Sequence, residues 1–567
     1  MCGINGFNWQ DIDQIKTMNQ AIKHRGPNDD GTFVGADISL GHVRLSILDL
    51  SSRGHQPMYN NVKGPSVQIV YNGEIYNFKE IKNVLIKEGF EFQTDTDTEV
   101  VLNAYIHYGV DAFSLFNGIF SFGIFDQDKG KLFLVRDRLG IKPLYYKFTD
   151  GQLIFSSETK AIKTIVPLEI NDNKRWDYFL SHNVSDESLY YGIKSVTPGS
   201  YLCFNQSDST IKEDIYCNLG ELVKPKVYKT NEAKTETQLV DELDELLNDV
   251  VKDQMVSDAP IGTIGSGGLD SSLVSAIAAQ YNKNLDIYHI KVDEKKCDES
   301  IYARQVAQHL KLNLVEEVLS KESYLQYLDH CLKAEELPLS HPNSVGIYQV
   351  SKKAIDTGVK VLLSGEGADE LFGGYHRYRN FQKRLWVNQF PIVKKILNKL
   401  SDLTLDETFQ GYRSDDLALL GEYLPEFPHF KNRSNYNKIF EEAFNFIDDD
   451  QERAMKAFIS GDLGYYLPSI LRRTDRMSMS VGLEMRVPFL DNRLIDFSLN
   501  LPVKFQVSKQ HQKHLLKKVG ERYLPKDIVY RAKKGFPLPI EQWLESKHFK
   551  KEMYARWHKL QQINVGS

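Results

Sequence analysis

Ile261-Gly262-Thr263-Ile264-Gly265-Ser266-Gly267-Gly268-Leu269-Asp270-Ser271-Ser272 runs from a short apolar strand through a glycine turn into a helical pattern. In that pattern Leu269, Leu273, Val274, Ile277 and Ala278 share one face. Strand, glycine turn and helix start in succession make an anion site, because the first N–H groups of the helix are unpaired and its dipole is positive there. Ser266, Ser271 and Ser272 add hydroxyl donors. Asp270 suits a phosphate neighbour only with a divalent cation between them. The segment is neither the lysine-bearing phosphate loop of kinase-like enzymes nor a GxGxxG fingerprint.

Working outward, Asp286–Val292 and Val359–Leu363 are further apolar runs, each followed by a turn and a helical pattern, and Leu239, Val240, Leu243, Leu246, Leu247, Val250 and Val251 recur at helical spacing before them. The alternation predicts an α/β domain with a parallel sheet and ligands at the carboxyl ends of its strands. Ser364-Gly365-Glu366-Gly367-Ala368-Asp369-Glu370 stands at one such end, with acids placed to face a cation or an incoming amine. From about Arg379 onward the pattern is mostly helical, and residues 546–567 read as a polar tail.

Ahead of the polar stretch Asn205–Lys234 the pattern differs. Ser66–Tyr71, Ile119–Asp126, Lys131–Val135 and Leu153–Ser156 are β-branched and aromatic segments, interrupted by helical patterns only near Asn77–Glu88 and Thr98–Tyr108. A layered α+β domain over residues 2–205 is expected, then an α/β domain over 236–545. Two domains also suit a chain of 567 residues, which exceeds what one core organises.

With 41% hydrophobic and 26% charged residues, a net charge of −6 and no long run of one sign, the chain reads as an ordinary globular protein rather than a nucleic-acid or membrane-surface binder. No segment is long and apolar enough to cross a membrane and no signal peptide is evident, so a cytoplasmic location is expected. The five cysteines, at 2, 203, 217, 297 and 331, show neither a disulfide framework nor metal-ligand spacing.

Cys2 is set apart by position. Removal of Met1 would give it a free α-amino group, a base with a reference pKa near 8 beside its own thiol. Cys2-Gly3-Ile4, His24-Arg25-Gly26-Pro27, Gly41-His42-Val43-Arg44-Leu45-Ser46, Asn72-Gly73-Glu74-Ile75-Tyr76-Asn77, Thr94-Asp95-Thr96-Asp97, Arg136-Asp137-Arg138-Leu139-Gly140 and Ser157-Glu158-Thr159-Lys160 follow in order, and together resemble the class II glutamine amidotransferases. That resemblance implies an N-terminal nucleophile fold, an αββα sandwich, in which Cys2 attacks the glutamine amide. Asn72 and Gly73 suit the oxyanion, Arg44 the ligand carboxylate, and Glu74 with Asp97 its ammonium. The plain alternative for Asn72-Gly73 is a hairpin turn.

Ser266–Ser272 is similar to the pyrophosphate loop of N-type ATP pyrophosphatases. With Ser364–Tyr375, Arg472–Met479, Glu484–Asp491, Lys513–Leu516 and Lys533–Phe536 added, the chain to about residue 545 resembles the asparagine synthetase family. The resemblance implies that glutamine, ATP and aspartate yield asparagine, glutamate, AMP and pyrophosphate through an acyl-adenylate and channelled ammonia. ATP would lie on Ser266, Gly267, Gly268, Asp270, Ser271, Ser272, Val292, Ser364, Gly365 and Glu366; Mg²⁺ on Asp270 and Asp369; Glu366 would be a base and Lys513 would steady phosphate charge. Two departures stand out. Glu335–Val345 lacks the Thr-Arg-rich stretch of many members, which keeps a sugar uronate open as the alternative acceptor, and Gly265 replaces a bulkier apolar residue, which should loosen the turn without altering the chemistry. Partners are thus small molecules, neither nucleic acid nor membrane; a homodimer is an expectation that no residue pattern decides.

Overall fold

The computed structural model describes residues 2–60, 64–174, 178, 188–388, 436, 438–508, 510–532, 534–546 and 548–563. In the first half, two six-stranded antiparallel sheets face one another. Gly3–Phe7 lies inside the first, between Ile38–Arg44 and Gln152–Ser156. Gly64–Ile75 and Gly118–Asp126 pair within the second. Ile4, Ile38, Leu40 and Phe155 of one sheet meet Val70, Leu134 and Phe204 of the other in a buried core. Alternation along each strand sends the next residues outward, where Phe7 and Val43 take the helix Ile12–Ala21 and Ile69, Phe122 and Val135 take Phe78–Lys87 and Asp97–Tyr108. The result is the expected αββα sandwich.

Asn72 and Gly73 are not a turn. They lie within the long strand, opposite Ser121 and Phe120. A Cβ on Gly73 would sit 2.2 Å from the Ile119 carbonyl oxygen, so the close approach of the neighbouring strand requires glycine there.

The second half is built on a five-stranded parallel sheet in the order Asn313–Leu319, Asp286–Val292, Ile261–Ile264, Val361–Leu363, Glu484–Arg486. Glu236–Gln254 and Leu269–Tyr281 cover one face through Leu243, Leu247, Leu273 and Ile277, whereas Lys321–Glu335 and Ser344–Asp356 cover the other through Leu328, Val345 and Val350.

Several expectations change. Ile12–Ala21 is a third helix of the sandwich, capped by Asp11, whose carboxylate accepts from the Asp13 and Gln14 N–H groups; its three buried residues, Ile15, Met18 and Asn19, are a thin apolar signal. Thr210–Ile215 pairs with Ser200–Asn205, so the second sheet continues past the expected boundary at 205. The helical reading beyond Arg379 holds for His376–Asn388, while 389–435 lie outside the described residues.

The largest change is at the end of the chain. Where a polar tail was expected, Phe549–Ile563 is a helix that buries Met553, Tyr554 and Trp557. These residues occupy one helical face among lysines and glutamates, which masks the pattern in composition. The helix touches both halves: the Gln561 carboxamide oxygen accepts from the Tyr190 hydroxyl at 2.8 Å, and the Lys550 carbonyl accepts from Tyr178. Trp557 is fully buried with its Nε1–H unpaired among the described residues. Trp557→Ala should therefore cost about 3–5 kcal/mol, read as a lowered thermal midpoint, and Trp557→Phe should cost clearly less because it also deletes the unpaired donor.

Candidate active sites

Cys2 immediately precedes the central strand of the first sheet and Asn72 lies near the end of the long strand of the second, so stacking the sheets brings them together. The Cys2 N–H donates to Asn72 Oδ1 at 2.9 Å, and Asn72 Nδ2 donates to Ser121 Oγ at 3.3 Å. The thiol is 4.0 Å from the Leu45 carbonyl, and burial pushes its pKa up. Met1, whose removal would free the Cys2 amine, lies outside the described residues.

Arg44, at the end of Ile38–Arg44, donates to the carbonyls of Ser51, Leu48 and Asp49 and so shapes the loop beside the thiol. Asp97 accepts from the Tyr71 hydroxyl at 2.6 Å and the Ile75 N–H at 2.9 Å. Burial outweighs those bonds and pushes its pKa up to about 6. Glu74 is raised well above the carboxylate range, by burial first and then by Glu484. Sequence reasoning missed the groups facing it: Arg486 Nη2 lies 3.5 Å from Glu74, and Arg486 Nε donates to Glu484 at 2.6 Å.

A buried charge network joins the halves. Arg25 is fully buried; its Nη1 lies 2.9 Å from both Glu158 and Asp475, and its Nε donates to the Cys2 carbonyl at 3.0 Å. Arg476 pairs with Glu158 and with Glu336, each at 2.9 Å. The Glu336 carboxylate also accepts from the Thr159 and Lys160 N–H groups of the first half.

The second site is a cavity of about 560 Å³ at the carboxyl ends of the parallel strands. It gathers residues from Ser266–Ser271, Ser364–Glu370 and Lys513. Gly267 has φ +70° and a Cβ there would lie 2.6 Å from the Ala303 nitrogen, so the loop needs glycine on two counts. The helix beginning at Leu269 has no side-chain cap, and Ser272 Oγ and Asp270 Oδ1 have no partner among the described residues. The Lys513 ammonium lies 2.5 Å from Asp270 and 2.6 Å from Asp369. Burial alone would lower its pKa, but the two carboxylates more than offset this and raise it. Glu366 accepts from Arg473 Nη2 and from the Thr474 hydroxyl, and Arg473 Nη1 donates to Asn343 at 3.0 Å.

Two readings are corrected. Val292 closes the strand Asp286–Val292 with its side chain in the core, while His289 and Ile290 of the same strand line the cavity. Gly265 does not loosen its turn, because a Cβ there would lie 2.4 Å from Ile287 Cγ2. Lys533, within one matched stretch, lies outside the described residues. Arg473 and Thr474 sat in a matched stretch, yet nothing local to that stretch pointed to Glu366.

Comparison with known proteins gives two family matches: Asparagine synthase over residues 242–562 and Glutamine amidotransferase domain over residues 1–216. The chain is 32% identical to "Asparagine synthetase [glutamine-hydrolyzing] 1" of Bacillus subtilis, covering 96% of this chain and 88% of that protein. It is 36% identical to "Putative asparagine synthetase [glutamine-hydrolyzing] 2" of Methanocaldococcus jannaschii over 71% of this chain and 83% of that protein. Against "Asparagine synthetase [glutamine-hydrolyzing] 3" of Bacillus subtilis it is 28% identical, over 96% and 90%.

A carboxylate must be ionised to hold a ligand ammonium. With the Asp97 pKa at about 6, a kcat/KM for glutamine that depends on Asp97 as the partner of the ligand ammonium should fall as pH drops through 6. A charged hydrogen bond contributes roughly 1.5–3 kcal/mol, so Asp97→Asn should lose about tenfold to a hundredfold at pH 8 and should change the shape of that acid limb, leaving the part that belongs to Glu74, whose pKa is raised further. Steady-state glutaminase rates between pH 5 and 8 read both effects.

Proposed function

The chain belongs to the asparagine synthase family, glutamine-dependent carbon–nitrogen ligases, and from that premise we propose that it amidates aspartate to asparagine at the expense of ATP. The observation that carries the reading is the convergence, on one cavity, of an open helix start, two aspartates, Lys513 and Glu366, in a chain that also places Cys2 against Asn72.

In the first half, taken to begin at Cys2, the thiol attacks the glutamine side-chain carbonyl. The amide nitrogen leaves as ammonia and water then releases glutamate from the thioester. The Asn72 carboxamide and the Gly73 N–H are the donors suited to the oxyanion, and Glu74 with Asp97 to the ligand ammonium. Arg44 serves the ligand carboxylate, in part by fixing the loop from Leu48 to Ser51 that it binds.

In the second half a carboxylate oxygen of the acceptor attacks the α-phosphorus of ATP and pyrophosphate leaves, giving an acyl-adenylate. Ammonia attacks the acyl carbon and AMP departs. Ser266–Ser272 supplies N–H and hydroxyl donors to the phosphates, and Ser364 and Gly365 flank the nucleotide. Lys513 offsets negative charge that develops on the leaving groups, and Glu366, oriented by Arg473 and Thr474, takes a proton from the attacking nitrogen. Asp270 and Asp369 are suited to hold Mg²⁺, since Asp270 keeps an unpartnered oxygen and two carboxylates with phosphate oxygens form an all-oxygen donor set. When bound, that ion supplies charge neutralisation on the polyphosphate.

The strand Glu484–Arg486 supports a short route for ammonia. Glu484 and Arg486 stand beside Glu74 of the thiol site, while Met485, pointing the other way, lines the nucleotide cavity. Kept from water, ammonia stays unprotonated and nucleophilic.

A sugar uronate is the second reading for the acceptor. The cavity wall at His341 and Asn343 presents an imidazole and a carboxamide, groups that also suit a hydroxyl-rich acid.

The deciding experiment is AMP release with glutamine and a panel of acceptors. Aspartate is expected to raise AMP well above background; a uronic acid doing so while aspartate does not would replace the acceptor assignment. Cys2→Ala should abolish glutamine-dependent synthesis and leave synthesis from ammonium salts within about twofold. Equal loss with both nitrogen donors would defeat the two-site mechanism.

A further inference from the structure

Arg531 is a charged side chain that the mechanism leaves without a role, and its contacts converge on the Ser266–Ser272 loop. It follows the short helix Lys526–Val529, and its side chain is only 10% exposed. Nη1 donates to the Gly267 carbonyl oxygen at 2.8 Å, and Nη2 donates to the Glu299 carboxylate. The guanidinium carbon also lies 4.0 Å from the centre of the Tyr302 ring. Hydrogen bond, ion pair and stacking hold the planar fork at three points, which makes it an anchor rather than a free charge. Glu299 and Tyr302 stand at the start of the helix Ser300–Leu310, and the loop packs on that same turn: a Cβ on Gly267 would lie 2.6 Å from Tyr302 Cβ as well as from the Ala303 nitrogen. Arg531 thus clasps Gly267 against the helix start.

Holding a carbonyl fixes the other end of its peptide. A trans peptide sets its C=O and N–H in opposite directions, so with the Gly267 carbonyl on Arg531 the Gly268 N–H turns to Ser266 Oγ, 3.3 Å away. Ser266 and Gly268 both line the cavity. Among the described residues Arg531 is the one donor to that carbonyl. The peptide joins two glycines, the first with φ +70°, and no side chain on either resists its turning over. Turned over, it would set a carbonyl dipole where a phosphate needs an N–H.

We propose that Arg531 is a positioning residue for phosphate binding: by holding the Gly267 carbonyl it keeps the peptide between Gly267 and Gly268 from turning over, so that the Gly268 N–H stays available to the polyphosphate of ATP. The inference rests on the proposed binding of ATP in this cavity. The bond from Gly268 to Ser266 Oγ is long, so a phosphate oxygen replaces it at little cost. Arg531 does not itself neutralise the phosphates, because Glu299 already takes its charge.

The test is pyrophosphate release by the full-length enzyme, with an ammonium salt as nitrogen donor and the acceptor active in the AMP assay, measured beside its glutaminase rate and thermal midpoint. Arg531→Met keeps the apolar stem and deletes the donors. It should lower kcat/KM for ATP by about tenfold to a hundredfold, the range for a charged hydrogen bond, mainly as a raised KM for ATP with the KM for the acceptor unchanged. The glutaminase rate should stay within about twofold of wild type and the thermal midpoint should hold. Arg531→Lys keeps the charge, but one ammonium cannot serve Gly267 and Glu299 as a fork does, so it should recover only a small part of the loss. Full recovery in Arg531→Lys would overturn the proposal in favour of a charge placed directly on phosphate. Wild-type kcat/KM for ATP in Arg531→Met would also overturn it, as would a parallel fall of glutaminase rate and thermal midpoint, the mark of a residue that only supports the fold. A wild type that releases pyrophosphate with no acceptor would remove the ATP reading itself and this inference with it, an outcome distinct from turnover that is insensitive to Arg531.

Discussion

Arg25 is the residue on which both halves depend. Its guanidinium is removed from water between Glu158 of its own half and Asp475 of the other, with Lys142 Nζ 3.5 Å from the same aspartate. A buried ion is tolerable only when its partners are in place, and removing one partner of such a pair typically costs about 3–5 kcal/mol. Neither half supplies the full set, so the ionic contact forces one arrangement of the halves rather than a family of loose ones. The same guanidinium binds the Cys2 carbonyl, which ties the position of the nucleophile to assembly of the joint.

The helix Leu467–Met479 carries the far side of that joint and also lines the cavity at the strand ends. Arg472 pairs with Glu335, Arg473 reaches Glu366 and Asn343, Asp475 takes Arg25, and Arg476 takes Glu158 and Glu336. Helical spacing turns these near neighbours in sequence to different sides. The segment from Glu335 to Asn343 is thereby fastened to the helix at several points, and Glu336 carries the connection on to the backbone of Thr159 and Lys160. Any shift of this helix moves groups at both sites together.

Short-range chemistry was legible in the sequence. Ser266–Ser272 revealed its strand, turn and helix start because glycine placement and apolar spacing are local, and Cys2, Asn72 and Asp97 stand in motifs that can be read within one half. What escaped depends on partners more than a hundred residues away: Arg486 beneath Glu74, Asp475 against Arg25, and Arg473 on Glu366. Charged residues in such roles resemble solvated surface until folding buries them. The closing helix was hidden because its few anchors, Met553, Tyr554 and Trp557, are diluted by charge.

Lys513 shows how the cavity balances its charges. Its backbone is left-handed, φ 53°, a conformation uncommon for non-glycine residues. Its surroundings are tight: a Cβ on Gly374 would lie 1.8 Å from Asp369 Oδ1 and 2.1 Å from Lys513 Cε. Asp270, Asp369 and Lys513 together carry a net charge of −1, with Lys517 and Arg379 also lining the cavity. Under the proposed reaction a divalent cation would turn that balance positive and give the leaving pyrophosphate a counter-charge. Lys513, already fixed between the carboxylates, would need no reorganisation to assist, and its uncommon backbone conformation is consistent with that preorganisation.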